Sequence, residues 1–202
     1  MTASILIALA GFAFVTSITP GPNNLMLLAS GANYGVRRSV PHIMGISGGF
    51  GVMVALVGIG LMGLFDAWPP ARTLLASLSV AYMLWLALRI ARAAGPGAAQ
   101  ATGRPMTFTQ AALFQWVNPK GWAMALSAIT LYAPAGKDGG RETLAIVIVA
   151  IVFALVNLPS VGVWAWLGRE MRRWLTSPGR LRAFNWTMAA LLVASLYPVV
   201  AA

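Results

Sequence analysis

Thr19-Pro20-Gly21-Pro22-Asn23-Asn24 stands inside residues 1–36, a run without a single charged side chain. Crossing about 30 Å of hydrocarbon takes roughly 20 apolar residues in a helix, so the run is long enough to span a membrane. The quoted segment does not fit an unbroken helix. Proline removes a backbone donor and clashes with the preceding turn, at about 3 kcal/mol. Broken backbone is tolerated at membrane depth only where it is buried in protein or lines a cavity. The segment therefore predicts a membrane helix interrupted at a protein interior, with two amide side chains at the interruption.

Outward from this segment the pattern recurs. Uncharged runs occupy 43–65, 73–88, 105–119, 121–136, 143–168 and 183–202, and the two that flank Lys120 form one span. Six helices are expected, at about 4–30, 42–64, 71–91, 107–132, 143–168 and 184–201. The chain reads as an all-α integral membrane protein with six transmembrane helices. Its composition agrees: 202 residues, 59% hydrophobic and 9% charged, with a mean hydropathy of +0.78. A soluble domain carries about 25% charged residues. Fourteen Lys and Arg against four Asp and Glu leave +10. Those charges lie in short gaps between apolar runs, which argues for the lipid bilayer as surroundings and against a nucleic-acid partner. Without cysteine there are no disulfides, thiolate metal sites or thiol nucleophiles. The first run lacks a basic start and a small-residue cleavage pattern, so it is expected to be a span rather than a signal peptide.

Loop charges orient the chain. Arg37 and Arg38 put +2 on the first loop; Arg89, Arg92 and Arg104 put +3 on the third. In the fifth, Arg169, Arg172, Arg173, Arg180 and Arg182 against Glu170 give +4, whereas the second and fourth loops are neutral. Positive loops stay in the cytoplasm. The expected cytoplasmic segments are 31–41, 89–106 and 169–183, with both termini outside. Trp68, Trp164, Trp166, Trp174 and Trp186 lie near span ends, as interfacial rings do.

The small, polar, Gly- and Pro-punctuated stretch within 93–106 reads as a cytoplasmic linker. It separates a first three-helix repeat, 1–92, from a second, 107–202. An odd number of spans per half forces the halves to enter the membrane in opposite senses, the geometry of an inverted repeat. Each half opens on a broken helix: Pro20, Gly21, Pro22, Asn23 and Asn24 in the first, and Asn118, Pro119 and Lys120 in the second. Paired breaks at matching positions point to a transport site, whereas either proline alone merely kinks a packed helix.

Lys120 is the one charge expected inside a span, and no acidic residue falls in any span. A buried ammonium costs roughly 2.5–3.5 kcal/mol even on lenient scales. It therefore awaits an external anion such as a substrate carboxylate, caps broken backbone, or snorkels to an interface. Asn23, Asn24 and Asn118 can cap helix ends or bind a zwitterion's ammonium. Asn157, ahead of Pro159, marks a milder break with either a structural or a substrate role. Gln115 reads best as an interhelical hydrogen-bonding residue. His42, where the basic first loop meets the second span, is a structural residue or a coupling group. Gly45, Gly48, Gly49 and Gly51 form a stripe suited to close helix packing. Metal clusters, phosphate loops and hydrolytic triads lack their parts, so no cofactor, no metal and no enzymatic activity are expected.

Pro20-Gly21-Pro22-Asn23-Asn24, followed by Gly35-Val36-Arg37-Arg38 and Gly45-Ile46-Ser47-Gly48-Gly49, resembles the first part of the LysE/RhtB amino-acid exporters. Phe114-Gln115-Trp116-Val117-Asn118-Pro119-Lys120 is similar to the fourth-span motif of that family. The resemblance covers essentially the whole chain. It implies a secondary transporter exporting an amino acid or derivative across the bacterial inner membrane, and a homodimer. Many members carry an acidic residue where Phe50 stands here. That apolar residue and the double Asn look more like the cysteine/O-acetylserine export branch, which implies a small neutral substrate and no second-span carboxylate for proton coupling. The competing function is a membrane assembly or interaction protein whose glycine stripes pack a partner.

Overall fold

The computed structural model describes residues 1–93, 104–133 and 142–197. The heart of the expected linker and the fourth loop lie outside these. The described residues are helical with no strand. In chain order they form α1 (Ala3–Ile18), α2 (Pro22–Tyr34), α3 (Val36–Gly58), α4 (Met62–Ala67), α5 (Pro70–Ala91), α6 (Phe108–Phe114), α7 (Pro119–Tyr132), α8 (Thr143–Met171) and α9 (Pro178–Ala194). A single 3-10 turn, Gln115–Val117, follows α6.

Both breaks fall at the prolines. Thr19 and Gly21 are extended, Pro22 starts α2, and α1 and α2 meet at 59°. Asn118 is likewise extended before Pro119 opens α7. Proline suits a first helical position, where its missing donor would have no partner anyway. Other boundaries differ from the sequence reading. Instead of a loop at 31–41, Gly35 alone joins α2 to α3, with φ +81°, a left-handed conformation that favours glycine. The second span therefore starts at Val36, and Ser39 is buried, bonded to Ser30 at 2.7 Å. The last helix starts early, at Pro178, because Ser177 caps it. No break occurs at Asn157: α8 runs through Pro159, which removes only one hydrogen bond.

Three described helices, α3, α5 and α8, are long and apolar enough to cross a membrane, and the bent α1–α2 pair makes a fourth. α9, at 17 residues, and α6 and α7, at 7 and 14, are each shorter than that standard. α8 runs through the middle, against α1, α2 and α3; α3 also packs on α6 and α7, and α5 on α9. Small residues permit the closest approaches. A methyl group at Gly31 would overlap the Ala165 carbonyl of α8, and one at Gly168 the Leu28 carbonyl of α2. Gly45 and Gly49 meet the backbone of α6 in the same way.

The surface is apolar and much of the polar inventory is inside. Ile7, Leu113, Leu131, Leu144 and Leu155 are exposed, while Asn24, His42, Gln115, Asn118, Asn157 and Asn185 are buried. A water-soluble fold has the opposite distribution. Such a surface belongs in lipid.

Candidate functional site

The broken end of α1 exposes a row of carbonyls that have lost their helical donors. Each is met. Val15 O keeps its helical donor, the Thr19 amide at 3.2 Å, and Thr16 O accepts from Thr19 Oγ1 at 3.0 Å. Ser17 O takes the Asn24 Nδ2 donor at 2.9 Å, and Ile18 O takes Trp164 Nε1 at 3.0 Å. Thr19 O receives both Asn24 Nδ2 and Lys120 Nζ, each at 2.6 Å. Lys120 Nζ also donates to Thr19 Oγ1 at 2.9 Å and Pro20 O at 3.3 Å. An ammonium has three donors, so all are engaged. Trp164, which its position near a span end suggested as an interfacial ring, thus caps the end of α1.

The second break is tied to the first. Asn23 Nδ2 donates to Gln115 Oε1 at 2.9 Å, and Gln115 Nε2 donates back to Asn23 Oδ1 at 3.3 Å. This reciprocal amide pair joins the start of α2 to the end of α6. Gln115 also binds the Ala111 carbonyl at 2.8 Å, and Trp122 Nε1 satisfies Trp116 O at 2.9 Å. Asn157 extends the network across the core: its Nδ2 donates to Ser17 Oγ at 3.1 Å and its Oδ1 accepts from Ser47 at 3.2 Å.

These groups line a small, partly open void of about 20 Å³, room for about one water molecule. Its lining includes Gly21, Asn23, Asn24, Asn118, Lys120 and Asn157, drawn from both breaks and α8. Among the described lining residues Lys120 alone is charged. The buried Asn118 Oδ1 has no hydrogen-bond partner, leaving a free acceptor on a residue that lines the same void as Lys120. Such a set suits a zwitterion, with the ammonium of Lys120 toward a carboxylate and Asn118 Oδ1 toward an amine. The void is too small for such a ligand as it stands, so an amino acid has to displace some of the surrounding hydrogen bonds.

The structure brings together every candidate from the sequence except His42. That residue lies 2% exposed in α3, lines a different cavity, and has neither ring nitrogen hydrogen-bonded. Sequence reasoning gave Gln115 an interhelical hydrogen bond, which it makes with Asn23, but did not join Trp164 to the break.

The family model described as LysE type translocator matches residues 14–195. A cysteine/O-acetylserine efflux protein of Klebsiella pneumoniae is 30% identical over 96% of this chain and 95% of its own length. One from Escherichia coli K12 is 29% identical, covering 96% of each. A homoserine/homoserine lactone efflux protein of Salmonella typhimurium is 26% identical over 88% of this chain and 86% of its own. No solved structure matches.

Proposed function

Because this chain belongs to the family of LysE-type translocators, we propose that it is a secondary transporter exporting a small neutral amino acid or derivative across the bacterial inner membrane. The observation that carries this reading is the meeting of the two helix breaks around one polar, singly charged void. The efflux activity in the names of its relatives supports the direction and the substrate class. We place the basic loops in the cytoplasm on the charge asymmetry.

The proposal includes two inverted repeats of three spans each. Exchanging the halves turns α1 into α6, α2 into α7, α3 into α8 and α5 into α9. Under that exchange the packing of α1 on α8 becomes that of α6 on α3, and both contacts are extensive. The α3–α8 and α5–α9 contacts map onto themselves.

Transport then works by exchange of partners. A substrate carboxylate takes Lys120 Nζ from the Thr19 and Pro20 carbonyls. The freed carbonyls and Asn118 Oδ1 accept from the substrate ammonium. The α1 end loses its tie to α7 and can swing relative to it, while the Asn23–Gln115 pair opens or closes the path on one side. Ligand binding thereby acts on the contact that holds the halves together.

The three bonds of Lys120 favour a second reading, in which it is a permanent cap and contacts no substrate. Lys120→Met in proteoliposomes separates the two. Loss of a charge-assisted substrate contact should raise the half-saturating concentration of O-acetyl-L-serine or L-homoserine about ten- to over a hundredfold. A carboxamide of the substrate should lose little further in the variant. Unchanged half-saturation in a Lys120→Met protein of lowered melting temperature leaves the cap reading standing alone.

A further inference from the structure

A second cavity, of about 390 Å³, opens at the end of the molecule where α2 stops and α3 starts. Its volume falls in the usual range of small-molecule sites, and it is far larger than the central void. Arg89 and Arg92, from the end of α5, and Arg104, ahead of α6, line it together with Ser30, Asn33 and His42. Among the described residues that line it none is acidic. Arg89 is held by stacking, with Cζ 5.1 Å from the centroid of the Trp85 ring. Asn33 and Asn185 bond each other reciprocally at 2.9 and 3.3 Å, and Asn185 also binds Ala93 O at 3.1 Å, so that wall is already satisfied.

His42 is not. It is 2% exposed, lines the cavity, and leaves both ring nitrogens without a partner. Buried polar groups of native proteins are nearly always paired. Three guanidiniums and an unpaired imidazole around one space ask for an anion that is also a small polar molecule. A phospholipid phosphate answers the arginines but leaves the deeper imidazole unpaired.

The position is equally telling. Met26 lines this cavity and Asn23 the central void, three residues apart on α2, or about 4.5 Å of helix rise. Met26 and Phe114 belong to one buried cluster, and Phe114 directly precedes Gln115 of the central void. We propose that this cavity is a receiving site for a small carboxylate, the free amino acid or acyl amino acid to be exported, held ahead of the central site. The arginines take the carboxylate oxygens, and His42 bonds the polar remainder. Met26, Phe114 and the Asn23–Gln115 pair form the partition the ligand then crosses. The proposal rests on the transport reading for the identity of its ligand. Any coupling role of His42 is exercised from here and not from the central void.

The absence of native cysteine supplies the test. Met106→Cys places a reporter in the cavity wall, with Ala93→Cys as a second reporter should the first disturb the fold. In phosphatidylcholine nanodiscs, O-acetyl-L-serine should slow labelling by a small maleimide, and its carboxamide should not. Arg89→Gln with Arg104→Gln should raise the half-protecting concentration about tenfold or more. His42→Phe should raise it too, while Lys120→Met should leave it unchanged. Equal protection by the carboxamide, or protection that survives the double arginine change, overturns the proposal. So does protection brought only by phosphatidylglycerol in the disc, which would make this a headgroup site. If protection holds but no transport is found, the central-site reading fails and this one stands. Transport with no protection at either reporter ends this one alone.

Discussion

Asn24 ties the first break locally, one amide nitrogen reaching the Ser17 carbonyl at 2.9 Å and the Thr19 carbonyl at 2.6 Å. Asn24→Ala deprives buried Ser17 O of its donor and should cost about 1–3 kcal/mol, read as a lowered unfolding midpoint in detergent. Asn23 differs, because its partner is across the molecule. In a double-mutant cycle of Asn23→Ala and Gln115→Ala, the pair should show a coupling of about 0.6–2 kcal/mol. Strict additivity would mean that the two amides do not act together. Which of two adjacent asparagines caps and which bridges was not legible in the sequence. Both have the same side chain, and only the direction in which α2 leaves the break assigns them.

Among the elements, helix starts were most legible where a local device sets them. Pro22 and Pro119 open α2 and α7, and Thr107 with Gln110 forms a capping box at the head of α6. The start of α3 was not legible, because Arg37 and Arg38 interrupt the apolar run without interrupting the helix. Charge ends an uncharged run, but a helix ends only where backbone geometry or a cap ends it. The tightest element pair, α2 on α8, depends on glycine at the contact. Gly168→Val puts a side chain into the backbone of α2 at Leu28, and Gly31→Val does the same to α8 at Ala165. Each should abolish the monodisperse folded species in size-exclusion chromatography. Gly11→Val should not, because nothing lies close to that position.

For the whole molecule, orientation follows from charge. Single cysteines at Arg38 and Arg172, both exposed, should resist a membrane-impermeant maleimide in intact cells. One at Trp68, between α4 and α5 and 52% exposed, should react. The reverse labelling pattern would sink the orientation. Ser39, which the sequence puts in an exposed loop, is a poor reporter because it is buried.

The sequence by itself determined that this is a helical membrane protein with two broken helices, since hydropathy and proline act locally and need no partner to be read. It also determined which residues stand at the breaks and that one of them carries a charge. Only the tertiary structure decided what those residues touch. Lys120 meets Thr19 across 101 positions of sequence, Trp164 meets Ile18 across 146, and Asn23 meets Gln115 across 92. Separations of that size are closed by helix packing, and no periodicity or spacing along the chain encodes which of several polar groups will face one another there.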